Sequence, residues 1–156
     1  MRVISKRQAV VAVCLLVATA AAVSVALAGT TTTTKPAPPP DWLKEVAGRV
    51  AAADGDGSPA TLRFALTTAQ AAAPLVGLTP GDPSVEADHD RAEYVVVMTG
   101  TFEDVNSFSP SGAVVPKGTC ITITVDPSTH AVRDFGLDSG AVDTSTVGAM
   151  TPFTLR

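Results

Sequence analysis

Aromatic residues make up only 4% of this chain, and it has just two histidines and two cysteines. Each scarcity excludes something. Cys14 lies in an N-terminal apolar run and Cys120 in the body of the chain, so the two are expected on different sides of a membrane interface. No internal disulfide follows, and the fold must stand on its apolar core. His89 and His130 are the only imidazoles available to a metal centre or a catalytic triad. No Gly-x-Ser-x-Gly elbow, phosphate-binding loop or dinucleotide fingerprint occurs. Positive charge is also short. From Pro36 onward seven Lys or Arg face fifteen Asp or Glu, an excess of eight negative charges. That balance argues against nucleic-acid partners and against docking on anionic lipid headgroups.

The N-terminus carries the clearest positive signal. Gln8 to Thr34 is free of charge and follows Arg2, Lys6 and Arg7. As a helix, the apolar run Ala9 to Ala28 rises about 1.5 Å per residue and spans roughly 30 Å, one bilayer core. The basic start stays cytoplasmic and the C-terminal bulk is translocated. Two readings of residues 9–28 remain open. One is a signal peptide cleaved after Ala28, because Ala26-Leu27-Ala28 is a small-x-small site followed by Gly29. The other is a retained single membrane-spanning anchor, in which case the membrane is itself a partner. Cys14 follows Val11-Ala12-Val13, lacks the small residue that precedes a lipidated cysteine, and reads as one more apolar position.

Residues 29–40, GTTTTTKPAPPP, cannot build a core. Threonine and four prolines favour extended, polyproline II-like backbone, a flexible spacer reaching roughly 35–40 Å at about 3.1 Å per residue. The threonine run also suits O-glycosylation.

Residues 41–156 read as a small extracytoplasmic α+β domain. Asp41 follows the prolines as an expected N-cap, and Trp42, Val46 and Val50 recur at helical spacing, with Leu43 and Ala47 beside them. Asp54-Gly55-Asp56-Gly57 ends that helix. Thr61–Thr67 alternates as a half-buried strand. Ala69–Ala73 is a short helix or a loop, and Gly77–Asp90 is rich in turns. Glu93–Phe102 is apolar without interruption from Tyr94 to Met98, which predicts a central strand buried on both faces. A long loop, Glu103–Gly118, precedes Thr119–Val125, where Cys120, Thr122 and Thr124 oppose Ile121, Ile123 and Val125. A turn at Asp126–Thr129 returns the chain as Ala131–Leu137, with Val132 and Phe135 expected inward. In the tail, Val147, Met150, Phe153 and Leu155 add a short element or cover an edge. The expected architecture is an antiparallel sheet of three or four strands packed by one helix.

Thr119 to Leu137 reads TCITITVDPSTHAVRDFGL. A strand ending in Val-Asp, a Ser/Thr turn, and a second strand opening on valine resemble the hairpin of PepSY-type domains, with Thr129-His130 where those hairpins often carry Thr-Gly. The Ala/Val/Thr/Asp-rich composition also resembles exported envelope proteins of high-GC, actinobacterial-type bacteria. The PepSY-type resemblance implies a module of protease inhibition or envelope regulation, without catalytic residues.

The densest set of potential ligands is Glu86, Asp88, His89, Asp90 and Glu93. Carboxylates suit calcium, and a histidine among them suits zinc or manganese. Asp88, His89 and Asp90 are adjacent, however, and cannot all face one point in an extended chain. A solvated acidic loop is the expectation. Asp54-Gly55-Asp56-Gly57-Ser58 opens like a calcium loop, but its twelfth position is Ala65, which supplies no ligand. No catalytic, cofactor or metal residue is assigned on this basis. The expected function is a non-enzymatic binding or regulatory module of the cell envelope, its partner another envelope protein. The working surface is expected in the Glu86–Glu93 or the Glu103–Gly118 loop. The alternative is a small hydrolase or metal-dependent enzyme using His89 with Asp88 or Asp90.

Overall fold

The computed structural model describes residues 37–79, 81–104 and 113–156. The apolar run 9–28, the linker as far as Pro36 and the middle of the 103–118 loop lie outside the described residues. The first helix, α1 (Asp41–Ala53), starts at Asp41 itself, so its cap lies one position before the expected one. The carbonyl of Pro40 accepts the N–H groups of Leu43 at 3.0 Å and Lys44 at 3.4 Å, so Pro40 takes the N-cap role. Asp41 becomes the first helical residue. Its carboxylate accepts a hydrogen bond from Lys44 Nζ at 2.9 Å and lies at the positive end of the helix dipole.

The sheet has five strands rather than three or four: β1 (Thr61–Thr68), β2 (Ala92–Glu103), β3 (Lys117–Val125), β4 (Val132–Asp138) and β5 (Thr151–Phe153). Every pairing is antiparallel, in the order β4-β3-β2-β1-β5. The extra strand comes from the tail and pairs Phe153 with Leu62 on the outer side of β1. Its three residues are too few to show a period, and Pro152 fits only because this is an edge.

Both faces of the sheet are covered. On one, Leu43, Val46, Ala47 and Ala51 of α1 meet Phe64, Val96, Met98, Phe102, Ile121, Ile123 and Val125. On the other, Val95, Val97 and Cys120 meet Ala72 and Leu75, with Val142, Val147 and Met150 of the tail packed against them. Ala72 belongs to α2 (Ala69–Ala72), capped by the Thr68 hydroxyl, which accepts the Ala71 N–H at 3.3 Å. Leu75 belongs to the 3₁₀ turn that follows. One helix therefore covers half of the apolar surface, and short segments after β1 and β4 supply the rest. The uninterrupted run Tyr94–Met98 is the sequence mark of this two-sided burial. Cys120 is buried, and that burial pushes its thiol pKa up, as expected of an inert thiol.

Val132 and Phe135 depart from expectation. They are 40% and 36% exposed, and Leu137 packs into the core instead. Between the pairs Thr124–Asp134 and Val125–Val132 the register shifts by one residue. The bulge and the edge position of β4 leave its first half beyond full cover by α1.

The helix end is sewn to β2. Asp56 Oδ1 accepts the Ser58 N–H at 2.9 Å, and Oδ2 accepts the Thr101 N–H at 3.0 Å. Thr101 sits in the irregular stretch of β2 between Thr99 and Phe102. The segment that opens like a calcium loop is thus an Asx turn with a long-range anchor. Gly100 makes room for it: a Cβ there would collide with Asp56 Oδ2 and come within 3.0 Å of Phe102 Cζ.

Two substitutions probe this packing. Gly100→Ala is expected to cost about 1–3 kcal/mol by overpacking, and less in an Asp56→Ala background, where the obstructing carboxylate is gone. A urea-unfolding double-mutant cycle without coupling would contradict the anchor. The Thr122 hydroxyl is fully buried with no hydrogen-bond partner among the described residues. Thr122→Val removes an unsatisfied group while keeping the shape, and is expected to raise stability by about 1 kcal/mol in the same assay.

Candidate binding site

The structure disperses the acidic cluster before β2. Glu86 ends the one-turn helix α3 (Pro83–Glu86), and the chain then turns through Ala87–Asp90. His89 Nε2 lies 3.0 Å from Asp90 Oδ2, and Nδ1 lies 3.4 Å from the Glu86 carbonyl oxygen. Both side chains of the His89–Asp90 pair face solvent. Asp88 pairs with Arg91 instead of His89. Glu93 is 1% exposed, because it continues inward along the row of Val95 and Val97. Arg91 reaches it with Nη2 at 2.5 Å and Nε at 3.2 Å from Oε1. The hydrogen bond to Glu93 is the chief reason that the Arg91 guanidinium is held above its usual pKa. Among the described residues, no three His, Cys, Asp or Glu side chains converge as a metal would require.

Asp88, Arg91 and Glu93 line a cleft of about 290 Å³ with Thr124, Arg133 and Asp134. Arg133 and Asp134 are sequence neighbours, and a regular strand would point them to opposite faces. The β4 bulge brings both to the same cleft. Arg133 Nη2 donates to Asp126 Oδ2 at 2.5 Å, and the Thr124 hydroxyl donates to Asp134 Oδ2 at 2.9 Å. The cleft is therefore a closed network. Both guanidiniums already hold carboxylates, and an incoming anion would have to displace one of them.

Asp126 also organises the hairpin loop. Its Oδ1 accepts the N–H groups of Ser128 at 2.8 Å and Thr129 at 3.0 Å. The loop ends at His130, the one non-glycine residue with positive φ, +58°, among those described. Left-handed backbone is costly for most side chains. His130 takes it with its ring stacked on Trp42, centroids 4.0 Å apart and planes 9° apart. Trp42 in turn meets Tyr94 edge-on at 5.4 Å. His130 thus ties the β3–β4 hairpin to α1, a contact invisible in a sequence where it reads as one more polar turn residue.

A second concavity is chemically different. Between α1 and β4 runs a groove of about 540 Å³, lined by Val46, Val50 and Ala53 on one side and Val132 and Phe135 on the other. Arg49, Asp54 and Asp104 complete its lining. Burial, and then the nearby Asp104 charge, push the Asp54 carboxyl above its usual pKa. β4 is the outer strand of the sheet, so among the described residues its far edge pairs with no other strand. Of the two loops expected to form a working surface, 86–93 serves the closed network and 103–118 contributes Asp104 to the groove. The apolar lining was missed. Its signal was the continuation of the Val46–Val50 stripe of α1 to Ala53, opposite an alternating edge strand.

The native state keeps Asp126 ionised far below the ordinary carboxylate range, through Arg133 first and the two loop N–H groups next. It therefore binds fewer protons than the unfolded chain at acid pH. The resulting stability is complete above the unfolded value of about 3.9 and is lost as pH falls toward the native one. Asp126→Asn keeps an acceptor for the loop but loses the ion pair. It is expected to lower stability at pH 7 and to flatten the acid limb of a stability profile; parallel wild-type and variant limbs between pH 7 and 2 would contradict it. The chain matches no protein-family model, no curated protein and no solved structure.

Proposed function

We propose that this chain is a non-enzymatic, extracytoplasmic binding or regulatory module of the cell envelope. The apolar leader carries it across the membrane and the Thr/Pro segment spaces it from the surface. The α1–β4 face takes a partner protein. One observation carries the reading: among the described residues, an apolar groove lies beside a strand edge that pairs with no other strand. An exposed edge backbone is a template for another chain, and natural sheets normally blunt or cover it. The polar cleft supports the reading less, since its charges already satisfy one another.

A hydrolytic or metal-dependent reading draws on the 3.0 Å contact between His89 and Asp90. Asp90 could orient the imidazole as a triad carboxylate does. The pair is open to solvent, however, and lines neither of the two concavities.

Site-specific photo-crosslinking separates the readings. In cells producing the full chain, a crosslinkable residue at Val132 is expected to give a discrete adduct with another envelope polypeptide, lost on Phe135→Glu; the same residue at Asp90 is expected to give none. Identical patterns from the two positions would overturn the binding face. Zinc and calcium titrations by calorimetry are expected to show no binding tighter than about millimolar. A site near the sensor range of about 10⁻⁵ M or tighter would favour the metal-dependent reading.

A further inference from the structure

The C-terminal end of α1 holds a carboxyl where three features disfavour its charge. Asp54 is 4% exposed and directly follows Ala53, the last helical residue. It therefore sits at the negative end of the helix dipole, and the last turn carries no basic residue to offset that end. Asp104, in the same groove lining, adds a second negative charge. Among the described residues, neither a hydrogen bond nor an ion pair reaches the Asp54 carboxyl. A carboxylate buried without a partner is costly, and such a group answers by keeping its proton to higher pH. Burial first, and the Asp104 charge next, hold Asp54 above its usual pKa.

The charged groups around it do not relieve this. Asp56, in the turn after α1, uses both oxygens on the N–H groups of Ser58 and Thr101. Glu103 of β2 pairs with Lys117 of β3. Arg49 of α1 is the cation of the groove lining and forms no ion pair with Asp54, and β4 contributes only Val132 and Phe135 to that lining.

Asp54 also joins two elements. Its carbonyl accepts the Glu103 N–H at 2.8 Å where β2 finishes, and the adjacent Asp104 N–H donates to the Pro116 carbonyl at 2.9 Å. Parting the helix end from β2 breaks the first of these bonds and lets water reach the carboxyl. Ionisation favours parting, because the charge gains hydration and distance from Asp104. Protonation favours the closed form. Val50 and Ala53 of the same last turn line the α1–β4 groove, so the helix end also sets the shape of that groove.

We propose that Asp54 is a proton-operated latch between the end of α1 and the end of β2, closed in acid and loosened as its carboxyl ionises. The latch does not depend on what occupies the groove. On a domain displayed beyond the membrane, as proposed above, it follows the pH of the surroundings. A folded-state pKa above the unfolded value of about 3.9 gives a stabilisation that is complete below that value and lost as pH rises through the folded one. Asp126 acts in the opposite window, below about 3.9, so the two groups are separable.

Hydrogen exchange of the full-length chain in detergent micelles, followed by NMR from about pH 4 to 8 and corrected for intrinsic rates, tests the latch. Protection of the Glu103 amide is expected to fall several-fold as pH rises across that range. The Asp126 amide, bonded to the Ala131 carbonyl at the other end of the sheet, is expected to keep its protection. Asp54→Asn is expected to hold Glu103 at its acid-level protection throughout, and Asp104→Asn to make the fall smaller. A flat Glu103 profile, or a fall that survives Asp54→Asn, overturns the latch. So does an equal fall at every slowly exchanging amide, which is a change in global stability alone. Should Asp54→Asn not fold, the wild-type Asp54 carboxyl carbon resonance decides: an inflection above the ordinary aspartate range is expected, and one at or below about 3.9 overturns the proposal.

Discussion

Two central strands buried on both sides govern the architecture. β2 carries apolar side chains toward α1 (Val96, Met98) and away from it (Val95, Val97), and β3 does the same with Ile121 and Ile123 against Cys120. Neither face can be left to water, since each buried aliphatic side chain is worth about 1.5–3 kcal/mol. One amphipathic helix covers one face of a sheet. The second face is covered piecemeal, by the Ala-rich α2, the turn carrying Leu75, and the tail with Val142, Val147 and Met150. Apolar residues of the tail thus pack against the core while staying partly exposed. Without a disulfide, that two-sided packing is what holds a small domain together.

Polar groups sit where this packing runs out. At the end of the second face the row Val97, Val95 continues into Glu93, and the β3 row Cys120, Thr122, Thr124 leads on to Asp126. Each carboxylate there meets an arginine, Arg91 for Glu93 and Arg133 for Asp126. Burying a charge without a partner costs far more than the pair returns. The network therefore reads first as closure of the sheet end, and the β4 bulge is the device that places Arg133 and Asp134 together in it. On the helix side the lining beside β4 is largely apolar among the described residues, with Val46, Val50, Val132 and Phe135 along it. That contrast is why the apolar edge and not the charged cleft is assigned the binding role.

The elements with strong local patterns were legible. Tyr94–Met98 announced a doubly buried strand, TCITITV announced its alternating neighbour, and Trp42 announced the face of α1. What stayed hidden was contact between distant segments. Asp56 read only as part of the turn that ends α1, because nothing local says that it also accepts the Thr101 N–H. His130 looked like a turn residue, because its stacking partner lies far back in α1. β5 was invisible because a three-residue strand containing proline has no period. Val132 and Phe135 were placed inward by their alternation. Alternation gives the side of the sheet on which a residue lies, and whether anything covers that position is a separate matter.

Taken alone, the sequence determined α1 and the first four strands in their order, an acidic body behind an apolar N-terminal run, and the lack of any disulfide within the body. These follow from composition and short-range periodicity, which backbone geometry translates directly into helix or strand. Tertiary structure alone decided which tail residues packed against the core, which carboxylates found arginines, and which strands became the edges of the sheet. Those outcomes depend on registers, one-residue bulges and packing between segments far apart in the chain, and no local pattern encodes them.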